Sequence, residues 1–393
     1  MAVPDDSIVA SSPQTWKGSL ATLLWRCGGL FGTLAAVAVA LLYAKQESLL
    51  YFPEIGNVPR RPGQNPRKYR SPAEHGIPYE THMIRCDDGV SIHSWLLLHP
   101  HSRQDRLPTL IFFHGNAGNI GLRLPNAIQM FNYLNANVLL VEYRGYGDSD
   151  DAKPTESGLK RDSEAALRFI SEHQSVDPAR IFVFGRSLGG AVAFHLGQHA
   201  ERNEIPLAGV IVENTFVSIS KMVDHLMPLI APLKSIVLRI GWDSGRIAPR
   251  MKSPILYLAG AADQLVPHDH MQELYRASRT SSVCPRIHVI KDGTHNETWL
   301  QGGREYWLKI RAFIDEVLAA ERSAGAFRSP SASDAEEWSA TKSSSVAVGM
   351  GMETETETVS GSSIPTMPAN LMGMAKEATA AAVPKDGVTK KDI

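Results

Sequence analysis

A chain of 393 residues, 43% of them hydrophobic and 21% charged, has the length and composition of a globular protein with a sizeable core, which excludes a wholly disordered one. Forty Lys and Arg against 41 Asp and Glu leave a net charge of −1, so no basic surplus argues for nucleic acid as a partner. Its three cysteines, Cys27, Cys86 and Cys284, form no Cys-x-x-Cys pair, which argues against a disulfide framework and a zinc site.

Residues 1–19 are polar, carry Pro4 and Pro13, and are expected to be disordered. Residues 20–44 are apolar with Arg26 as their one charge, and the uncharged run of about eighteen residues after it is just long enough to cross the hydrocarbon layer as a helix. A transmembrane anchor over 20–44 is the expectation. The rival is a cleaved signal peptide with Ala38-Val39-Ala40 as its small-residue site, against which stand the long leading segment and its Asp5 and Asp6. Lys17 and Arg26 on one side and Lys45, Arg60 and Arg61 on the other do not choose an orientation. Residues 45–80 are Pro-rich and predict a linker or extended strap.

A folded domain is expected over 81–321. Two β-rich runs, 81–86 and 90–98, flank Asp87-Asp88-Gly89 and predict a hairpin. The continuous apolar run 109–113 predicts a strand buried on both faces. Strands at 138–141, 181–184, 208–212, 255–259 and 286–290 then alternate with helices at 155–173, 187–199, 268–279 and 304–320. That alternation predicts an α/β architecture, a mostly parallel sheet with helices on both faces. It lapses into an apolar, Pro-containing stretch at about 216–252, expected to form a short cap over the strand ends. From 322 to 393 the composition turns to Ser, Thr, Ala, Gly and Glu, and the tail is expected to be disordered.

Gly185-Arg186-Ser187-Leu188-Gly189 stands where strand periodicity changes to helical, the context of a nucleophile elbow. A serine hydroxyl needs a base to take its proton, and the base a carboxylate to fix its tautomer. Asp263 follows one predicted strand and His295 the next, so Ser187, Asp263 and His295 occur in the order such folds use, each on a loop at a strand's carboxyl end. Glu213 is the competing acid. Backbone N–H groups of Leu188 and of the turn after Phe113 are the expected oxyanion donors, with Asn116 preferred over Ala117. His114 in that turn is read as a structural hydrogen-bonder. His195 and His199 have zinc-compatible i, i+4 spacing, but without a third ligand in the motif they read as a helix face. No metal, cofactor or phosphate loop is expected: Gly115 to Gly121 is followed by no Lys-Ser or Lys-Thr.

These residues resemble the α/β-hydrolase superfamily, and closely the alpha/beta hydrolase domain-containing protein 13 family. The likeness rests on His114-Gly115-Asn116-Ala117-Gly118, Tyr143-Arg144-Gly145-Tyr146-Gly147, the Ser187 elbow with Gly190, Glu213-Asn214-Thr215-Phe216, Asp263 before Val266-Pro267, and Gly293-Thr294-His295-Asn296. It covers roughly residues 45–320. The resemblance implies an α/β-hydrolase fold with an eight-stranded type of sheet, a triad of Ser187, Asp263 and His295, and a single-pass, type II membrane anchor. The Ser/Thr-rich tail and the acidic segment 148–154 depart from the family's pattern without touching the triad. Two function classes follow: an ester or thioester hydrolase acting on acyl groups, lipid or lipidated protein, near a membrane, or a catalytically silent, membrane-anchored interaction protein. A serine peptidase on the same fold is a third reading.

Overall fold

The computed structural model describes residues 14–54, 56–100 and 107–326. Residues 1–13 and 327–393, most of the two segments expected to be disordered, lie outside the described residues. The remainder of both expectations is corrected. Helix α1 runs Gln14–Leu50 over 37 residues, because Pro13 is the last helix-breaking residue before it and Pro53 the first after it. It therefore absorbs residues 14–19 and the first six residues assigned to the linker. At the other end, the last helix continues to Ala326, past the expected boundary at 321.

Eight strands follow: β1 Tyr79–Arg85, β2 Ser91–Leu97, β3 Thr109–Phe113, β4 Asn137–Val141, β5 Ile181–Arg186, β6 Gly209–Glu213, β7 Ile255–Gly260 and β8 Pro285–Ile290. They form one sheet in the order β1-β2-β4-β3-β5-β6-β7-β8. β1–β2 and β2–β4 are antiparallel and all other pairs parallel. The helices after α1 are α2 Leu124–Leu134, α3 Glu156–Ser171, α4 Leu188–Arg202, α5 Ile219–Leu226, α6 Lys234–Val237, α7 Ser244–Ile247, α8 His268–Ser278, α9 Thr298–Gln301 and α10 Gly303–Ala326.

Period-2 alternation divides the central strands between two cores. Ile111 and Val183 face one side with Leu159 of α3, Val192 of α4 and Leu274 of α8. Leu110, Phe112, Phe182 and Phe184 face the other with Met130 of α2 and Ile310 and Phe313 of α10. With β3 to β7 buried on both faces, the carboxyl ends of the parallel strands are a rigid edge for side chains on the loops beyond.

The Pro-rich linker is packed against the domain. Phe52 N–H donates to the Asn116 carbonyl at 2.9 Å, and Gly118 N–H to the Phe52 carbonyl at 3.0 Å. Asn65 is buried and its amide donates to Asn119 Oδ1 at 2.8 Å. The strap thus clasps the turn that follows β3. The region between β6 and β7 holds α5, α6 and α7 and supplies walls of the cavity that contains Ser187.

Candidate active site

β5 ends at Arg186 and α4 begins at Leu188, leaving Ser187 alone to make the turn. Its backbone sits at φ 55°, ψ −119°, a conformation that L-residues adopt at a cost of about 1–3 kcal/mol and that lifts the side chain off the sheet edge. The flanking glycines are required by space: a Cβ on Gly185 would run into the Gly189 carbonyl, and one on Gly189 into the carbonyls of Phe113 and His114.

His295 bridges the other two residues singled out in the sequence. Its Nε2 lies 2.9 Å from Ser187 Oγ and its Nδ1 2.7 Å from Asp263 Oδ2. Ser187 is 8% and His295 5% exposed. Asp263 is held by its own loop, Oδ1 accepting from the N–H groups of Leu265 at 2.8 Å and Val266 at 2.9 Å, so its second oxygen is aimed at the imidazole. Glu213, the competing acid, faces elsewhere. Arg186 Nε donates to its Oε1 at 2.6 Å and the Tyr306 hydroxyl donates to its Oε2, an ion pair buried beneath the elbow.

Asn214, at φ 47°, joins three of the loops. Its amide donates to the carbonyls of Thr294 and His295, both at 3.1 Å, and to Thr298 Oγ1 at 2.9 Å, while its oxygen accepts from Gly260 N–H at 2.8 Å. Thr215 beside it donates to the Ser187 carbonyl at 2.7 Å. Both belong to the Glu213-Asn214-Thr215-Phe216 string, yet only Glu213 was given a candidate role from sequence. The signal that could have found them was their position directly after a strand whose carboxyl end borders the site.

Leu188 and Asn116 border the same cavity as Ser187. As the first residue of α4, Leu188 has an N–H without an intrahelical acceptor. Asn116 is fixed on three sides: its carbonyl accepts from Phe52 N–H and, at 2.7 Å, from the Tyr146 hydroxyl, and its side-chain amide donates to the Leu50 carbonyl at 3.0 Å. His114 lies beneath this turn, wholly buried, Nδ1 2.7 Å from the Gly115 carbonyl and Nε2 3.4 Å from Glu142 Oε1. Burial drives the imidazole well below its ordinary range and pushes the Glu142 carboxyl up to about 8.

The cavity above Ser187 has a volume of about 370 Å³, within the range of small-molecule sites. It is bounded by Phe216, by Met222 and Leu226 of α5, by Ile230 and by Leu42 and Leu49 of α1, and among the described residues no carboxylate is in its walls. His195 and His199 are far along α4 and meet Glu164 of α3, whose Oε1 lies 2.7 Å and 3.3 Å from their ring nitrogens. The third partner that the sequence spacing lacked therefore exists, supplied by a neighbouring helix, and the trio is a contact that ties α3 to α4.

Comparison with known proteins agrees with the fold. A family model described as serine aminopeptidase, S33, matches residues 104–247, a stretch that includes Ser187 but neither Asp263 nor His295. The alpha/beta hydrolase domain-containing protein WAV2 of Arabidopsis thaliana is 35% identical over 305 residues, 74% of this chain and 94% of that protein. Protein bem46 of Schizosaccharomyces pombe is 36% identical over 71% of this chain and 89% of its own length. An uncharacterized membrane protein of Saccharomyces cerevisiae is 32% identical over 75% and 99%. Among solved structures, an esterase of Pyrococcus furiosus superposes with a TM-score of 0.53 at 19% identity, over 66% of this chain and 99% of that one, and shares the fold. With WAV2 and bem46 matched over nearly their whole lengths, the chain belongs to the alpha/beta hydrolase domain-containing protein 13 family and is a hydrolase of the α/β-hydrolase superfamily.

Proposed function

We propose that this protein is a serine hydrolase that cleaves the ester or thioester bond of an acyl substrate at a membrane surface, through an acyl-enzyme on Ser187. The observation that carries the reading is His295, within hydrogen-bond reach of both Ser187 Oγ and Asp263, beside a largely apolar cavity. His295 Nε2 takes the hydroxyl proton as Ser187 Oγ attacks the carbonyl carbon, while Asp263 holds Nδ1–H and stabilises the imidazolium. The oxyanion accepts from the N–H groups of Leu188 and Asn116. His295 then protonates the departing alcohol or thiol, and a water deprotonated by the same nitrogen releases the acid.

Membrane attachment rests on α1. Leu20–Leu50 is long and apolar enough to span a bilayer, and the yeast relative is named a membrane protein. We assign α1 as a single-pass anchor for a hydrolase domain over roughly residues 81–321.

A fluorophosphonate probe should label the wild type and fail on Ser187→Ala, and both Ser187→Ala and His295→Ala should lose about 10⁴-fold in turnover of a short ester. Folded wild type that takes no label would instead make this a silent interaction protein. The family-model description raises aminopeptidase action as a second reading. An α-ammonium group calls for a carboxylate partner, and among the described residues the cavity walls offer none. Turnover of aminoacyl anilides faster than of acyl esters would favour the peptidase.

A further inference from the structure

Helix α1 has two parts with different surroundings. Over residues 20–41 its large apolar side chains are bare, Leu24 at 63%, Phe31 at 75% and Leu34 at 59% exposed. Its last turns are locked onto the cap. Gln46 is buried; its amide donates to the Val237 carbonyl at 2.7 Å and its oxygen accepts from Arg239 N–H at 2.8 Å. Arg239 also pairs with Glu47 at 2.9 Å and lies over the Tyr43 ring at 5.0 Å. These contacts fix the rotation of the helix about its axis. Leu42, Gln46 and Leu49, one turn apart on one face, are thereby walls of the cavity that has Ser187 on its inner side.

The facing wall is the cap, through Leu226, Ile230 and Val237. The polar groups between the walls are neutralised: Gln46 has its amide bonds filled, and Lys234 is paired with Asp224. Beside the wall residues Ile230 and Val237 stand Leu229, 89% exposed, and Ile236, 67% exposed, so the cap's outer end is apolar next to the helix built to cross the membrane. A largely apolar cavity bounded by α1 and the cap thus reaches the serine, and the bare part of α1 ends one residue before its wall residue Leu42.

We infer that α1 is a wall of the acyl-chain site as well as an anchor, so that the substrate is a bilayer-resident lipid whose fatty-acyl chain enters between α1 and the cap without leaving the membrane. The inference rests on the serine-hydrolase reading and adds the source and path of the acyl group. It also assigns chain-length selectivity to Leu42 and Leu49. Burial of each further methylene against these walls favours binding by about fourfold until the cavity is filled.

The test uses full-length protein in phosphatidylcholine vesicles, with p-nitrophenyl palmitate in the bilayer, p-nitrophenyl butyrate in water, and a water-soluble palmitoyl thioester. Leu42→Trp and Leu49→Trp, which fill the cavity, should lower the palmitate-to-butyrate ratio of kcat/KM tenfold or more. Leu42→Ala, which empties it and cannot clash, should move the preferred chain length upward. Leu41→Trp, one position round on an exposed face, should match the wild type. Fluorophosphonate labelling of each variant reports that the serine is still presented. Labelled variants that all keep the wild-type chain-length profile would overturn the wall. A soluble palmitoyl thioester hydrolysed as fast as the bilayer ester would overturn the membrane source. Loss of labelling and of butyrate turnover in the wild type would strike at the hydrolase reading itself and take this inference with it.

Discussion

Asn214 is not among the residues lining the cavity, yet its four side-chain hydrogen bonds hold the loops after β6, β7 and β8 in one arrangement. Because its φ is 47°, Asn214→Gly keeps the backbone conformation and removes only the side chain. That variant should lower kcat for a short ester by about a hundredfold through drift of His295, with KM little changed. It should also cost about 2 kcal/mol of stability from buried groups left unpaired. Wild-type kcat in Asn214→Gly would show that the His295 loop holds itself. Glu142, under the Asn116 turn, makes a pH prediction. Its folded pKa of about 8 lies above the ordinary 4.5, so between those values the folded chain keeps a proton that the unfolded chain has lost, and stability falls as pH rises. His114, depressed by burial, acts in the opposite sense but only below about its ordinary 6.5, where the unfolded chain gains a proton the folded one refuses. The window from 6.5 to 8 therefore isolates Glu142. Glu142→Gln should flatten the fall in Tm across it, and an unchanged slope would refute the assignment. Ser187, Asp263 and His295 were legible as candidates because the chemistry proposed for them demands those residue types in that order. Asn214 was not, since partners 46 to 84 residues away leave no local pattern.

At the scale of elements, periodicity gave the sheet because strands buried on both faces must be apolar throughout, as in Leu110 to Phe113. Helix α2 went unread: it begins with Pro125 in its first turn and is preceded by a 3₁₀ turn over Ile120–Arg123, which blurs the start of its apolar stripe. The anchor expected over 20–44 lies within helix α1, which extends beyond it to Gln14 and Leu50, because hydropathy marks the apolar stretch whereas the prolines at 13 and 53 bound the helix. The difference matters for truncation. Removing residues 1–40 deletes only the bare part of α1 and should leave Tm and short-ester turnover near the full-length values. Removing residues 1–50 also deletes Gln46 and Glu47 with their bonds to the cap, and the Leu50 carbonyl that receives the Asn116 amide. That chain should melt several degrees lower and hydrolyse even a short ester more slowly, because the turn proposed to offer the Asn116 N–H is loosened. Identical behaviour of the two truncations in a thermal melt and an ester assay would mean that the contacts of α1 with the domain contribute nothing to either.

For the whole molecule, a net charge of −1 supplies no long-range attraction to anionic lipid, so its attitude to a membrane must be set by apolar surface. The sequence suggests an anchor and a cap without joining them: the bond from Gln46 to Val237 spans 191 residues, and only the folded domain brings those two segments together. Once joined, they constrain orientation. If α1 crosses the bilayer as proposed, the exposed outer residues Leu229, Leu233 and Ile236 of the cap favour a domain that settles cap end down, with those three side chains at the level of the headgroups. The double variant Leu229→Asp with Ile236→Asp should then separate anchoring from docking. It should still float with vesicles, since α1 is unaltered, and should hydrolyse p-nitrophenyl butyrate in water as the wild type does. Its turnover of p-nitrophenyl palmitate in the bilayer should fall severalfold, because charged residues hold the cap away from the lipid and open a watery gap that the acyl chain must cross. If the double variant matched the wild type on the bilayer substrate while floating normally, the cap end would not rest on the membrane, and the domain would work on its tether at a distance from the lipid surface.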